Sequence, residues 1–265
     1  MKLEGGMLVN NYINETFGLD GKVAMVTGGH TGIGRGISNA LAKAGADIFI
    51  VTHSGRNTEE VRAEIEGYGR RVEFYQADLS LEEEAAKSIE KCVEAFGKID
   101  ILVNNSGTIY RAPILEGENQ MWQKVIDLNL SAVYYLSKEA AKHMVKQGSG
   151  KIINIASMLS FQGGKFVPSY TASKHGVAGL TRAFANELAE QNIQINAIAP
   201  GYIETANTAP IRANEKRKAE ISSRIPAVRW GVPEDLGAAA VFLSSKASDY
   251  MNGHILAVDG GWLAR

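Results

Sequence analysis

Seven short runs of apolar, largely β-branched residues recur along the chain, at about 23–27, 47–52, 72–76, 101–104, 151–155, 194–198 and 255–258. Runs of this kind suit parallel strands covered on both faces. Amphipathic stretches separate them, and these predict helices starting near Gly32, Glu59, Glu82, Trp122, Ser169 and Pro233. The strand–helix alternation predicts an α/β chain: one doubly wound sheet of about seven parallel strands, helices on both faces, and a ligand at the carboxyl ends of the strands. Residues 1–18 read as a polar N-terminal extension packing on a neighbouring subunit, and 19–265 as a single domain. There is no internal repeat and no low-complexity tract.

Between the first two strands lies KVAMVTGGHTGIGRGISNALAKAGADIFIVT. Gly28, Gly32 and Gly34 fall where the chain must turn tightly and bring backbone N–H groups and a helix N-terminus against a phosphate. The spacing is T-G-x-x-x-G-x-G. An ordinary β-turn is the plain alternative, but a strand before the glycines and a helix after them favour a phosphate cradle. His30, Thr31 and Ile33 lie inside it, His30 touching a ligand through its backbone.

The run SMLSFQGGKFVPSYTASK carries the second piece of chemistry. Tyr170 and Lys174 are four residues apart, so a helix projects both from one face. A phenol has a pKa near ~10 and is a poor acid–base at neutral pH. An ammonium beside it favours the phenolate, by roughly two to three pKa units, and brings the group into range. Ser157, from the end of a neighbouring strand, could hydrogen-bond the same substrate oxygen.

Composition narrows the field. The 265 residues carry a formal net charge of −1, which predicts neither a nucleic-acid nor a membrane partner. The single cysteine, Cys92, allows no disulfide within the chain and reads as a core filler. His30, His53, His143, His175 and His254 show no metal-ligand spacing, so no catalytic metal is expected. Gly148-Ser149-Gly150-Lys151 lacks the Ser or Thr of a P-loop and precedes its strand. No signal peptide or spanning apolar run is seen, and the expected location is the cytoplasm.

The glycine turn and the Ser/Tyr/Lys set together resemble the short-chain dehydrogenase/reductase family over nearly the whole chain. The resemblance implies a Rossmann-type fold and nicotinamide-dependent redox chemistry at a CH–OH group. Asn104-Asn105-Ser106-Gly107 resembles the family's NNAG segment, with Ser106 in place of Ala. Asp78, followed by Leu79, matches the acid that contacts adenine, and Asn129 the helix asparagine that holds a proton-relay water. Pro200-Gly201 matches the turn beside the nicotinamide, with Ile203 and Thr205 after it. The resemblance also implies that Lys174 holds the nicotinamide ribose and that the subunits form a homotetramer. The DGGWLAR tail, with Trp262 and Leu263, is a candidate subunit contact; capping its own core is the alternative.

Cofactor choice turns on the second strand, which ends Thr52-His53-Ser54-Gly55-Arg56, with no acid before Glu59. Arg56 and Arg35 are the candidate receivers of a 2′-phosphate; NAD(H) is expected, with NADP(H) as the alternative. Substrate choice lies in the expected lid over about 201–230, rich in Lys and Arg. GKIINIASMLSFQGG, NAIAPGYIETANT and RIPAVRWG resemble the 2-dehydro-3-deoxy-D-gluconate 5-dehydrogenase group, also called 2-deoxy-D-gluconate 3-dehydrogenase. That resemblance implies a small deoxy or keto sugar-acid substrate. Its carboxylate needs a cation, and Arg111 and then Arg212 are the candidates. Gln162 and Asn207 are candidates for the sugar hydroxyls. Gluconate 5-dehydrogenase, a 3-oxoacyl-thioester reductase and an idle dinucleotide-binding regulator are the competing readings.

Overall fold

The computed structural model describes residues 11–265. Seven parallel strands form one sheet: β1 Val23–Thr27, β2 Asp47–Thr52, β3 Val72–Gln76, β4 Ile101–Asn104, β5 Gly150–Ile155, β6 Ile193–Pro200 and β7 Ile255–Val258. Their order is β3-β2-β1-β4-β5-β6-β7, with Thr27 level with Val51 and Asn104 level with Asn154. The chain runs outward from β1 to β3 and then returns to lay β4 beside β1. The crevice beyond the carboxyl ends of β1 and β4 is therefore a topological switch point, where this architecture binds ligands.

Both faces of the sheet are covered, which is why β1 is buried at every residue. Ala24 and Val26 face helices α1 Gly32–Lys43, α2 Thr58–Gly67 and α9 Gly237–Ser244, through Ile37, Leu41, Ile65 and Leu243. Val23 and Met25 face α3 Glu82–Phe96 and α5 Ala132–Gln147, through Ile89, Leu136 and Met144. Each such side chain contributes roughly 1.5–3 kcal/mol on burial. Glu82, Glu83 and Glu84 in the first turn of α3 complement its dipole, and Gly97 closes it in the left-handed conformation at φ 79°.

The helix expected near Trp122 begins earlier and is part of a longer rod. Helix α4 Asn119–Ile126 runs through a π-helical turn, Asp127–Ser131, straight into α5. Single π turns inside α-helices frequently mark functional sites, and this one carries Asn129. Helix α6 Pro168–Leu188 starts on a proline at its first position, where the missing N–H costs nothing.

The expected lid, about 201–230, holds two short helices, α7 Ala209–Arg212 and α8 Glu215–Ser222. Ile221, Ile225 and Trp230 pack with Met158 and Trp262 in a small core of their own. Tyr202 stands 5.1 Å from the ring of Trp230 and 5.0 Å from that of Trp262. Trp262 is thus buried within its own chain, against the lid. A helix across 11–17 precedes the sheet, and residues 1–10 of the expected extension lie outside the described residues. No helix among the described residues is long and apolar enough to cross a membrane.

Candidate active site

The glycine turn joins β1 to α1 as its spacing implies. A Cβ on Gly34 would lie 2.2 Å from the Gly28 carbonyl oxygen, so only glycine lets the helix approach the strand this closely. Gly28 and Gly32 have φ of 65° and 49°, in the left-handed region. No side chain caps the N-terminus of α1 at Thr31, so its first N–H groups point into the switch-point crevice. Thr205, from beyond β6, lies against Gly32: a Cβ there would meet its Cγ2 at 3.4 Å.

The segment after β4 is tied to this turn by Thr27. Its hydroxyl accepts the N–H groups of Asn105 and Ser106, both at 2.9 Å, while Asn105 Nδ2 donates to the Thr27 carbonyl at 2.8 Å. A Cβ on Gly107 would lie 3.2 Å from the Asn129 Oδ1 atom. Asn129 is fully buried and holds Thr108 at both ends: Oδ1 accepts its N–H at 2.8 Å and Nδ2 donates to its carbonyl at 2.9 Å. The same Nδ2 donates to Ser173 Oγ at 3.3 Å. Every polar side-chain atom of Asn129 therefore has a protein partner, so it clamps the loop to α6.

Ser157, Tyr170 and Lys174 meet at the carboxyl end of β5. The Ser157 hydroxyl lies near enough to the Tyr170 phenol to pull its pKa down, and it accepts the Leu159 N–H at 3.1 Å. Lys174 Nζ lies 5.5 Å from the centre of the Tyr170 ring and donates to the Ile155 carbonyl at 2.6 Å. The expected lowering of the phenol by the ammonium is not what dominates here. Burial holds Tyr170 above its ordinary value, with the Ser157 hydrogen bond and the Arg111 charge working against it. Burial likewise brings Lys174 down to about 8. Enclosure outweighs the i, i+4 spacing because desolvation penalises both charged forms.

Arg111 is exposed, and its charge is felt at the phenol. It also reaches the lid, donating from Nη2 to the Asn207 carbonyl at 3.4 Å. Arg212 donates to the Thr205 carbonyl at 3.1 Å, so two arginines hold one turn, and Asn207 enters this contact through its backbone while its side chain is exposed. Gln162 is half-buried just past the Ser157 turn. Pro200-Gly201 packs on the strand β7 end: a Cβ on Gly201 would lie 2.6 Å from Asp259 Cα. Ile203 is buried beside it and bridges to Gly231.

At the far end of the crevice, β2 ends on Thr52 without a carboxylate. Thr52 Oγ1 lies 3.1 Å from Nε2 of the buried His30 and also donates to the Ser54 carbonyl. Burial lowers the His30 pKa, which keeps the ring neutral. His30 thus meets the β2 end through its side chain, where the sequence pointed only to its backbone. The His53 carbonyl is held by Gln76 at 3.2 Å. Asp78 takes both hydrogen bonds of Ser80, which hold its carboxyl below the usual range, and Leu79 is buried next to it. Arg35, a candidate for phosphate, is engaged elsewhere: Glu64 and Glu60 of α2 each hold it at 2.6 Å. Arg56 remains exposed, without a hydrogen bond or ion pair among the described residues.

The cradle fits a dinucleotide: glycines without room for a side chain, free N–H groups at a helix start, and the Ser157, Tyr170 and Lys174 set two strands away. The model of the family described as enoyl-(acyl carrier protein) reductase matches residues 28–263. A 2-dehydro-3-deoxy-D-gluconate 5-dehydrogenase of Bacillus subtilis strain 168 is 54% identical over 254 residues, covering 96% of this chain and 99% of its own. The chain belongs to the short-chain dehydrogenase/reductase family.

Two solved members of that family are close in structure. One, from Beutenbergia cavernae, is assigned as an NAD(P)-dependent gluconate 5-dehydrogenase and holds NADP at low occupancy. It is 48% identical with a TM-score of 0.90, over 94% of this chain and 100% of its own. The other, from Agrobacterium tumefaciens, is assigned as a 2-deoxy-D-gluconate 3-dehydrogenase with bound NADP; it is 48% identical with a TM-score of 0.89, over 94% and 99%. As a short-chain dehydrogenase/reductase the chain is an oxidoreductase that uses a nicotinamide cofactor. The expected preference for NAD is not supported: both of these structures carry NADP.

Sequence reasoning missed Thr27 and the side chain of His30. The threonine was visible as the first letter of T-G-x-x-x-G-x-G. Nothing local marked its hydroxyl as the partner of a segment 78 residues away.

Proposed function

We propose that this chain interconverts a secondary alcohol and a ketone on a sugar acid of the 2-dehydro-3-deoxy-D-gluconate type, with NADP(H) as its cofactor. The observation that carries this reading is Arg111, an exposed guanidinium whose charge is felt at the Tyr170 phenol and which donates to the Asn207 carbonyl. A cation there suits a substrate with a carboxylate near its reacting carbon. A fatty-acyl thioester would have no use for it. The full-length identity to a sugar-acid dehydrogenase supports the same class, and the intact acid–base set argues against an idle dinucleotide-binding regulator.

Gly28, Thr31, Gly32, Ile33 and Gly34 would hold the pyrophosphate; Asp78, Leu79, Asn105, Ser106 and Gly107 would line the adenosine and ribose; Pro200, Gly201, Ile203 and Thr205 would flank the nicotinamide. When bound, the nicotinamide ring supplies or accepts the hydride at the carbinol carbon. Tyr170 Oη takes the substrate hydroxyl proton in oxidation and returns it in reduction. Ser157 holds the substrate oxygen, and Lys174 Nζ, free to swing from Ile155, holds the ribose. Asn129 and a water at its π turn complete the proton path. Gln162, Asn207 and Arg212 contact the sugar hydroxyls and lid side of the substrate.

NADP fits the β2 end because Thr52 and the neutral His30 present no negative charge to repel a 2′-phosphate, and Arg56 is free to receive one. The reading includes a homotetramer acting in the cytoplasm, with the partly exposed groove lined by Leu130, Tyr134 and Leu180 as a candidate subunit contact.

The test is absorbance at 340 nm with 2-dehydro-3-deoxy-D-gluconate, 2-deoxy-D-gluconate and D-gluconate, each with NADP and with NAD. Saturable turnover of a deoxy sugar acid with NADP is expected, abolished in Tyr170→Phe. Turnover of D-gluconate alone would move the enzyme to the gluconate 5-dehydrogenase reading. Turnover with NAD alone would overturn the cofactor assignment.

A further inference from the structure

Lys174 is joined to the segment that carries Ser157 at two points. Its side chain donates from Nζ to the Ile155 carbonyl at 2.6 Å. Its own carbonyl accepts the Ser160 hydroxyl at 2.7 Å. Ser157 lies between these two pins, on a turn closed by the Ser160 N–H donating to the Ser157 carbonyl at 2.9 Å. Ile155, Ser160 and Lys174 are all buried, at 6%, 8% and 5% exposure, so neither bond competes with water.

The two pins differ in permanence. The Nζ pin sits on a flexible four-carbon stem, and any ligand that takes the ammonium opens it. The Ser160 pin joins a short side chain to a helix backbone and involves no group that a ligand needs. The Lys174 carbonyl lies within α6, where the helix ladder already supplies a partner, so the Ser160 bond is an addition to the helix. It serves the turn.

We infer that Ser160 is a positioning residue that keeps Ser157 in register with Tyr170 and Lys174 once the lysine side chain is engaged by a ligand. The inference rests on the acid–base reading of those three residues. Without the hydroxyl, neither pin ties the turn Met158–Ser160 to α6 while the ammonium is bound. Ser157 then loses its fixed position near the phenol, and with it the influence that counters the effect of burial on Tyr170. Displacements of about 1 Å at such a group cost up to 10²-fold in rate.

The experiment compares Ser160→Ala, Ser160→Thr and Tyr170→Phe with the parent enzyme, measuring kcat, KM, the NADPH dissociation constant and the pH profile of alcohol oxidation. For Ser160→Ala the expected result is kcat down about tenfold, NADPH binding unchanged, and the rising limb of the oxidation profile moved to higher pH. Ser160→Thr, which keeps the donor, restores both. Parent-like kcat in Ser160→Ala overturns the inference. So does a loss that appears equally in NADPH binding, or one that Ser160→Thr leaves in place, since a space-filling role would behave that way. Activity retained in Tyr170→Phe would instead overturn the acid–base reading itself, which separates the two failures.

Discussion

The hydroxyl of Thr27, the last residue of β1, accepts the backbone N–H groups of both Asn105 and Ser106 at 2.9 Å, and so locks the segment after β4 to the glycine turn. Two buried donors depend on one oxygen. Replacing Thr27 with Val keeps the shape and leaves both donors unpaired. The cost is about 2 kcal/mol of stability, read by thermal or denaturant unfolding, with NADPH binding weakened about tenfold or more by fluorescence titration. Unchanged cofactor affinity would show that the cradle does not need this lock.

The pH dependence follows from burial. Tyr170 titrates above the ordinary phenol range in the free enzyme. Oxidation requires the phenolate, so kcat/KM for the alcohol climbs with pH through neutrality and is still rising in the alkaline range. Reduction requires the protonated phenol and stays level across neutrality, falling only at alkaline pH. Tyr170→Phe removes this limb and lowers the rate by about 10²–10⁴-fold. A plateau of oxidation already at neutral pH would mean that Lys174, after all, governs the phenol.

Arg111, the proposed receptor of the substrate carboxylate, also donates to the Asn207 carbonyl. Arg111→Met removes a charge-assisted contact worth about 1.5–3 kcal/mol, so KM for the sugar acid rises roughly 10- to 150-fold while KM for NADP stays near its parent value. An unchanged sugar-acid KM would leave Arg212 as the carboxylate receptor.

Two arginines near the cofactor's adenosine end should separate cleanly. Arg56→Ser is expected to raise KM for NADP about tenfold, a loss of about 1.4 kcal/mol, and to leave NAD untouched. Arg35→Ser breaks the pairs with Glu60 and Glu64. It lowers stability by up to about 1 kcal/mol, because the cluster is partly exposed to solvent and salt, and spares both cofactors. A large NADP effect in Arg35→Ser would reverse this assignment.

What the sequence determined by itself was local or periodic. The strand–glycine–helix order at Gly28 to Gly34, the four-residue spacing of Tyr170 and Lys174, and the seven apolar runs each depend on neighbours along the chain, and all reappear in the structure. Where side chains meet across the sheet, the tertiary structure alone decided. Thr27 meets Asn105 across 78 residues, and Arg111 meets Asn207 across 96. Arg35 looked free until α2 placed two glutamates against it. Trp262, offered by the sequence as a subunit contact or a cap on its own core, packs within its own chain against Tyr202 and the Trp230 cluster. The charge state of Tyr170 shows the reason most plainly. Spacing sets which groups are near one another, but the strength and even the direction of an electrostatic effect depend on how much water the folded chain has removed around them.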